Sequence, residues 1–403
     1  MPRLGYLATM ANKEAAHAMQ TTLGSVLFTA FEPSGDAHAA PVIAALRTLA
    51  PELSIIAWGG PRMAEAGATV IERSADDGAM GFSAIARIAA VRRHAAAIDR
   101  WCGQHRVSVH VPVDSPAANF PIAKRMKKRG ARVCHLVAPQ VWAWGGWRLN
   151  KVRRCTDCLL CLLPFEEKWF RDRQVPAKFI GHPVINRTIS NADIAARAAE
   201  FPAGSPKVLL LPGSRSSEVR RNLPILLRVL SELQARHRKL NALLVAANED
   251  LLQLVRARVG DSVPSGLHLI TGDLDAAIAW CDIALCVSGT VSLDLTRHAK
   301  PMVAIYKVSP LSWITARMLV KTPHRLLPNI LAGKRIVPEF VPHLGGVEPI
   351  VQATEQLLGD QARMREASEA LRKVLEPYRG HNPALEAAKA ILKLAQGGNP
   401  LST

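Results

Sequence analysis

Short apolar runs of β type alternate along this chain with longer stretches that have helical spacing, and the alternation predicts a parallel α/β architecture. It begins with a strand at Ser25-Val-Leu-Phe-Thr-Ala30, the turn Phe31-Glu-Pro-Ser-Gly-Asp36 and a helix over 37–50. Ser34, Gly35 and Asp36 stand where an N-cap and a glycine turn belong. A strand at 55–58 runs into Gly59-Gly-Pro61, and another at 109–113 delivers Asp114 at its carboxyl end. After Asn186 a polar, Ala-rich helix and then Pro202-Ala-Gly-Ser-Pro206 mark an interdomain connection. The second half repeats the alternation: strands at 207–211, 241–246, 267–270, 282–287 and 301–305, with helices at 222–236, 249–258, 273–281 and 291–299 between them. From about 350 the pattern is helical, over 352–358, 361–375 and 383–395. The expected organisation is a disordered extension at 1–23, an α/β domain at 24–190, a second at 191–355, and helices at 356–403. That tail would pack back on the first domain or on a partner subunit.

Composition narrows the class. At 403 residues the chain exceeds what one core of roughly 250–300 residues accommodates. A net charge of +18 and a pI of 10.1 favour anionic partners: nucleic acid, anionic lipid or phosphorylated substrates. The basic residues are not interleaved with aromatics as base stacking requires, which argues against nucleic acid. Seven scattered cysteines, an odd number, speak against a disulfide framework and for a reducing compartment. Cys155, Cys158 and Cys161 have the spacing of an iron–sulfur run but lack a fourth thiol. No stretch reaches the roughly 18 uninterrupted apolar residues of a spanning helix. Two segments mix apolar residues with cations as interfacial helices do: 80–88, with Phe82 and Ile85, and 311–321, with Trp313, Ile314, Arg317 and Lys321. A buried amphipathic helix is the alternative for both.

Candidate chemistry gathers at strand ends. Lys207-Val-Leu-Leu-Leu-Pro-Gly-Ser-Arg215 is a strand that turns sharply at Gly213 into a helix opening, where free N–H groups and the fork of Arg215 suit phosphate oxygens. A second joint, the strand 282–287 running into Ser288-Gly289-Thr290, repeats the device, with Asp294 a turn further on. Two such joints suggest a nucleotide diphosphate across the carboxyl ends of a parallel sheet, with Asp294 accepting from ribose hydroxyls or merely complementing a helix dipole. Asp114 is placed to act as a general base or to cap a turn. Trp142 and Trp144, expected on one side of an extended segment, suit a sugar, an acyl chain or the core. His182 is structural or a ligand.

The ordered series Glu32-Pro-Ser-Gly-Asp36, Gly60-Pro-Arg-Met63, Asp114-Ser-Pro116 with Asn119, Pro139-Gln-Val-Trp-Ala-Trp144, Leu163-Pro-Phe-Glu166, Phe179-Ile-Gly-His-Pro183, Leu211-Pro-Gly-Ser-Arg215 with Glu218, Ser288-Gly-Thr290 and Leu327-Pro-Asn-Ile-Leu-Ala-Gly333 resembles the lipid-A-disaccharide synthase family from about 25 to 395. The resemblance implies a GT-B glycosyltransferase: two Rossmann-like domains facing across a cleft, with C-terminal helices crossing back. It implies transfer of 2,3-diacylglucosamine from UDP-2,3-diacylglucosamine to 2,3-diacylglucosamine 1-phosphate, giving a β(1→6) disaccharide and UDP, with no cofactor and no metal. It also implies a cytoplasmic enzyme held peripherally on the anionic inner-membrane surface, often a homodimer exchanging C-terminal segments.

Carried onto this chain, Asp114 matches the proposed base. Gly213, Ser214, Arg215, Glu218, Ser288, Gly289, Thr290, Asp294 and Asn329 fall at the donor site. Glu32, Ser34, Gly35, Asp36, Asn119, Trp142, Trp144 and His182 fall at the acceptor side of the cleft. The chain departs from the family pattern at Phe31, usually Gly, at Ala117, where a second carboxylate is usual, at Asp294, usually Glu, and at Lys307, commonly Arg. Another GT-B enzyme acting on a UDP-sugar, a paralogous transferase or an epimerase, is the rival reading.

Overall fold

The computed structural model describes residues 24–75, 84–260, 263–307 and 322–401, those at 84–88 by backbone only. The interfacial candidates Phe82, Trp313, Ile314, Arg317 and Lys321 lie outside these residues, as does the side chain of Ile85. The chain forms two units, one comprising the residues up to Asn186 together with those from Gly380 onward, the other Arg187–Arg379.

In the first unit seven parallel strands are ordered β3-β2-β1-β4-β5-β6-β7: β1 (Ser25–Thr29), β2 (Ile55–Gly59), β3 (Thr69–Arg73), β4 (Val107–Pro112), β5 (Arg132–Leu136), β6 (Cys158–Cys161) and β7 (Ala177–Phe179). The helices between them are α1 (Pro33–Leu49), α2 (Pro61–Glu65), α3 (Ala84–Trp101), α4 (Pro116–Lys128), α5 (Leu149–Cys155), α6 (Pro164–Arg171) and α7 (Pro183–Asn186). Val26, Leu27 and Phe28 are wholly buried, as expected of a central strand covered on both faces. The sheet separates the three spaced cysteines. Cys158 packs into the core on one face, while Cys155 and Cys161 pack into the core on the other, so they cannot ligate one cluster.

The second unit has six parallel strands ordered β10-β9-β8-β11-β12-β13: β8 (Lys207–Leu211), β9 (Asn241–Ala246), β10 (Leu267–Thr271), β11 (Ile283–Val287), β12 (Met302–Lys307) and β13 (Glu339–His343). Its helices are α8 (Asn191–Ala199), α9 (Ser216–Arg236), α10 (Glu249–Val259), α11 (Leu274–Trp280), α12 (Val291–Arg297), α13 (Leu327–Ala332), α14 (Glu348–Leu358) and α15 (Gln361–Leu375). Counted from its own first strand the order is 3-2-1-4-5-6, the doubly wound arrangement in which strand order reverses between β8 and β11. A final helix, α16 (Pro383–Ala395), returns to the first unit and packs against α1, burying Ala387, Ile391 and Leu394.

Several elements differ from the sequence expectation. α1 opens at Pro33, four residues early, because proline at the first helical position gives up an N–H that has no helical partner there. α9 opens at Ser216, where the sharp turn at Gly213 places a helix opening, six residues before the apolar spacing of 222–236 begins. α15, expected in the returning tail, stays in the second unit, where it packs on α12, α13 and α14 and buries Leu371 and Val374.

Candidate functional site

In the second unit the two joints meet at the point where strand order reverses. β8 and β11 pair in register from Ile283 opposite Val208 to Cys286 opposite Leu211, so their carboxyl ends are level and the turns after them are neighbours. Gly213, Ser214, Arg215, Glu218, Ser288, Gly289, Thr290 and Asp294 all line one cavity of 410 Å³. Gly213 has φ +114, and a Cβ there would come within 2.8 Å of Glu218, so the turn admits glycine alone. The Glu218 carboxylate accepts from the Ser214 N–H at 3.1 Å and pairs with Arg215 at 3.0 Å. The donors of this turn are therefore already arranged around an anionic group. At the other turn the Ser288 N–H donates to the Ile305 carbonyl, and the Ser292 hydroxyl buttresses the Gly289 carbonyl at 2.7 Å. Ser288 accordingly has no N–H to offer a ligand. Asp294 is buried, which pushes its pKa up to about 6 against the pull of Arg187, 3.6 Å away. The cavity thus offers a guanidinium and amide donors to an anion, and a carboxylate to hydroxyl donors.

The corresponding crevice of the first unit lies between β1 and β4, and Asp114 stands at its edge. Asp114 and Ser115 both adopt left-handed backbone, φ 50 and 38, at a cost of roughly 1–2 kcal/mol each. The Asp114 N–H donates to the Leu136 carbonyl at 3.0 Å, and the Asn119 amide donates to the carbonyls of Val113 at 3.1 Å and Asp114 at 2.9 Å. The Asn119 oxygen in turn accepts from the Thr29 hydroxyl at 2.7 Å. With its proton so used, Thr29 accepts from His110 Nε2 at 2.9 Å, which assigns the imidazole tautomer. Burial pushes His110 down to about 3, so this ring is neutral. His38, on α1, is likewise lowered by burial, and the neighbouring Asp114 charge opposes that.

The family profile described as Lipid-A-disaccharide synthetase matches residues 26–392. A relative from Anaeromyxobacter dehalogenans, "Lipid-A-disaccharide synthase", is 34% identical over 369 residues, 91% of this chain and 96% of its own. The chain belongs to the lipid-A-disaccharide synthase family. Among solved structures, sucrose-phosphate synthase from Thermosynechococcus elongatus (TM-score 0.59, 13% identity, 93% of this chain and all of that one) shares the fold. So does UDP-GlcNAc 2-epimerase from Neisseria meningitidis (TM-score 0.57, 12%, 93% and 100%). Two Rossmann-like units are thus the GT-B architecture of glycosyltransferases and epimerases.

Against this lipid-A-disaccharide synthase background several expected site residues make internal hydrogen bonds. Asn329 is wholly buried, accepting from the N–H groups of Ile336 and Val337 at 2.8 Å and donating to the Val337 carbonyl, so it pins the segment before β13. Asp36 is equally committed: its oxygens accept from the N–H groups of Gly60, Arg62 and Met63, tying α1 to the opening of α2. Asn119 positions the backbone of Asp114 from inside. Gly35 is buried where a Cβ would meet Ala30 at 3.0 Å, while Glu32 stands at the N-cap position of α1 without a side-chain capping bond and Ser34 is exposed. Residues 141–144 form turns, so Trp142 and Trp144 do not share a side: Trp142 donates to the buried Glu166 at 2.9 Å, and Trp144 faces solvent. His182 accepts at Nδ1 from the Val184 N–H at 3.1 Å and is pushed by burial down to about 3, a structural role. Thr29, His110 and His38 went unread. The signal for His110 is one polar residue within the buried run 109–113.

Proposed function

We propose that the chain transfers 2,3-diacylglucosamine from UDP-2,3-diacylglucosamine to the 6-hydroxyl of 2,3-diacylglucosamine 1-phosphate, giving the β(1→6) disaccharide and UDP. The acceptor oxygen bonds to the anomeric carbon from the face opposite the diphosphate, and that carbon's bond to the diphosphate oxygen breaks, the electron pair leaving with UDP. Asp114 takes the hydroxyl proton. Arg215 and the amides around Gly213, Gly289 and Thr290 stabilise the charge gathering on the diphosphate, with Glu218 swinging aside for it, and Asp294 accepts from the ribose. Both substrates carry acyl chains, so the enzyme works peripherally at an anionic cytoplasmic leaflet, for which a net charge of +18 is suited. Among the described residues no helix is long and apolar enough to cross a membrane.

The observation that carries the reading is the convergence of both turns on one cavity at the strand-order reversal, in a chain of this family. The test supplies both substrates and follows UDP release, which must require both. Asp114→Asn is expected to lower turnover by about 10²–10⁴-fold with UDP affinity unchanged; undiminished turnover removes Asp114 as the base. Arg215→Ala is expected to weaken UDP binding by about 10–100-fold, the loss of a charged hydrogen bond, and wild-type affinity would unseat the diphosphate from this turn. Conversion of the UDP-sugar without acceptor and without UDP release would favour an epimerase instead.

A further inference from the structure

We propose that residues 144–154, the turn after β5 and the short helix α5, form a contact surface for an anionic lipid bilayer, with Trp147 entering the headgroup layer and Lys151 and Arg154 meeting lipid phosphates. The proposal rests on the reading above that both substrates are lipids, and it names the face that meets their membrane.

Trp147 is 78% exposed and Trp144 is 39% exposed, an unusual cost for two large indoles in a chain that buries Trp58 almost completely. Neither is loose. The Arg148 guanidinium lies 3.9 Å from the Trp144 ring centre and 5.0 Å from that of Trp147, so one cation braces both rings. Trp147 sits in a 3-10 turn, Gly146–Arg148, that leads directly into α5. From there Trp147, Lys151 and Arg154 follow the i, i+4, i+7 spacing and are all exposed, the Lys151 ammonium 5.2 Å from the Phe120 ring centre at the edge of the core, while Val152 and Cys155 are buried. An indole flanked by cations on one short helical face is what an interface between water and lipid selects.

The charge around this face has one sign. Between Asp114 and Asp157 the chain carries ten Lys and Arg and no acid. Lys127 and Arg129 are drawn to Asp157 and Asp99, each at 2.9 Å, but Arg148, Lys151 and Arg154 form no ion pair among the described residues. Lys124 of α4 joins Lys151 in pulling the Cys155 thiol down against its burial, so the cationic field extends onto the neighbouring helix. A complementary partner is a broad anionic surface. A nucleic acid fits less well, because the Arg148 guanidinium already lies over both indoles and competes with a base for their faces. The location also serves the chemistry: the Leu136 carbonyl at the end of β5 holds the Asp114 N–H, so the chain that carries these tryptophans leaves the sheet beside Asp114.

The test is co-sedimentation of the full chain with phosphatidylglycerol–phosphatidylcholine vesicles. The variants are Trp147→Ala, the pair Lys151→Gln and Arg154→Gln, and a control pair of exposed cations on α10, Arg256→Gln and Arg258→Gln, which changes net charge equally. Each cation near a charged leaflet is worth about fivefold in partition, so the α5 pair should lose roughly 25-fold, and Trp147→Ala about tenfold, while the control stays within about twofold of the unaltered chain. Retained binding in both patch variants, or an equal loss in the control pair, overturns the assignment. UDP release from detergent-dispersed substrates separates this from the transfer reading. The patch variants should keep it and lose turnover only on vesicles; its absence in the unaltered chain would sink the transfer reading and leave the vesicle result standing.

Discussion

Two consecutive residues in left-handed backbone, neither of them glycine, are held at Asp114 and Ser115 by a buried relay. His110 donates to Thr29, Thr29 to Asn119, and Asn119 to the carbonyls of Val113 and Asp114. Backbone strain of this kind persists only where surrounding contacts over-determine it. Asn119→Ala removes three hydrogen bonds at once and leaves two buried carbonyls short of a donor. It should cost about 1–3 kcal/mol of stability and lower turnover severalfold or more while UDP affinity stays at its wild-type value; turnover equal to wild type would show that the strained turn is idle. The same residues show what a sequence can say. A carboxylate after an apolar strand and a Gly-Ser-Arg turn after another are legible, because chain direction places strand ends on one edge. The internal hydrogen bonds of Asn329 and Asp36 are not legible, because a polar side chain in a motif reads the same whether or not folding brings backbone N–H groups to it. Trp142 and Trp144 were misjudged because a turn, which apolar spacing does not announce, sends them to different environments.

Among elements, the strands with continuous apolar runs are legible, but the start of α1 is not, since a proline opens it four residues early, nor is the destination of α15, which presents enough apolar surface to remain with the second unit. Helix α6 adds a feature that pattern alone conceals. Glu166 at its third position accepts from the Leu163 N–H at 3.0 Å and from Trp142 at 2.9 Å, yet burial pushes its pKa up to about 7, the N–H donors opposing. A carboxyl raised in the folded state binds its proton more tightly there than in the unfolded chain. Its contribution to stability is therefore complete below about pH 4.5 and is lost as pH climbs to about 7, beyond which both states are ionised. Over that window the first unit should lose about 3 kcal/mol relative to Glu166→Gln, which cannot titrate. Urea unfolding of both proteins at pH 5, 6, 7 and 8 measures the difference. Parallel curves would mean that Glu166 is ionised throughout and that its two donors outweigh burial.

At the scale of the whole chain, the decisive fact is that α16 belongs by sequence to the end of the second unit and by packing to the first, where Ala387, Ile391 and Leu394 complete the core between α1 and the sheet. That return was legible as a late amphipathic helix, but its destination depends on which unit leaves an apolar face uncovered, and no local pattern states that. It makes the stability of the first unit depend on residues some two hundred positions beyond the rest of it, while the cavity holding Arg215 and Thr290 is built from the second unit alone. Ile391→Ala, at a fully buried site, should destabilise the first unit by about 2–5 kcal/mol. UDP at a hundred times its dissociation constant should stabilise the second by about 2.7 kcal/mol. Scanning calorimetry of the full chain should then show two transitions that respond separately, one lowered by Ile391→Ala and indifferent to UDP, the other raised by UDP and indifferent to the substitution. A UDP shift confined to the transition that Ile391→Ala lowers would place the nucleotide in the first unit, and the roles given to Gly213, Arg215 and Asp294 would fall with it.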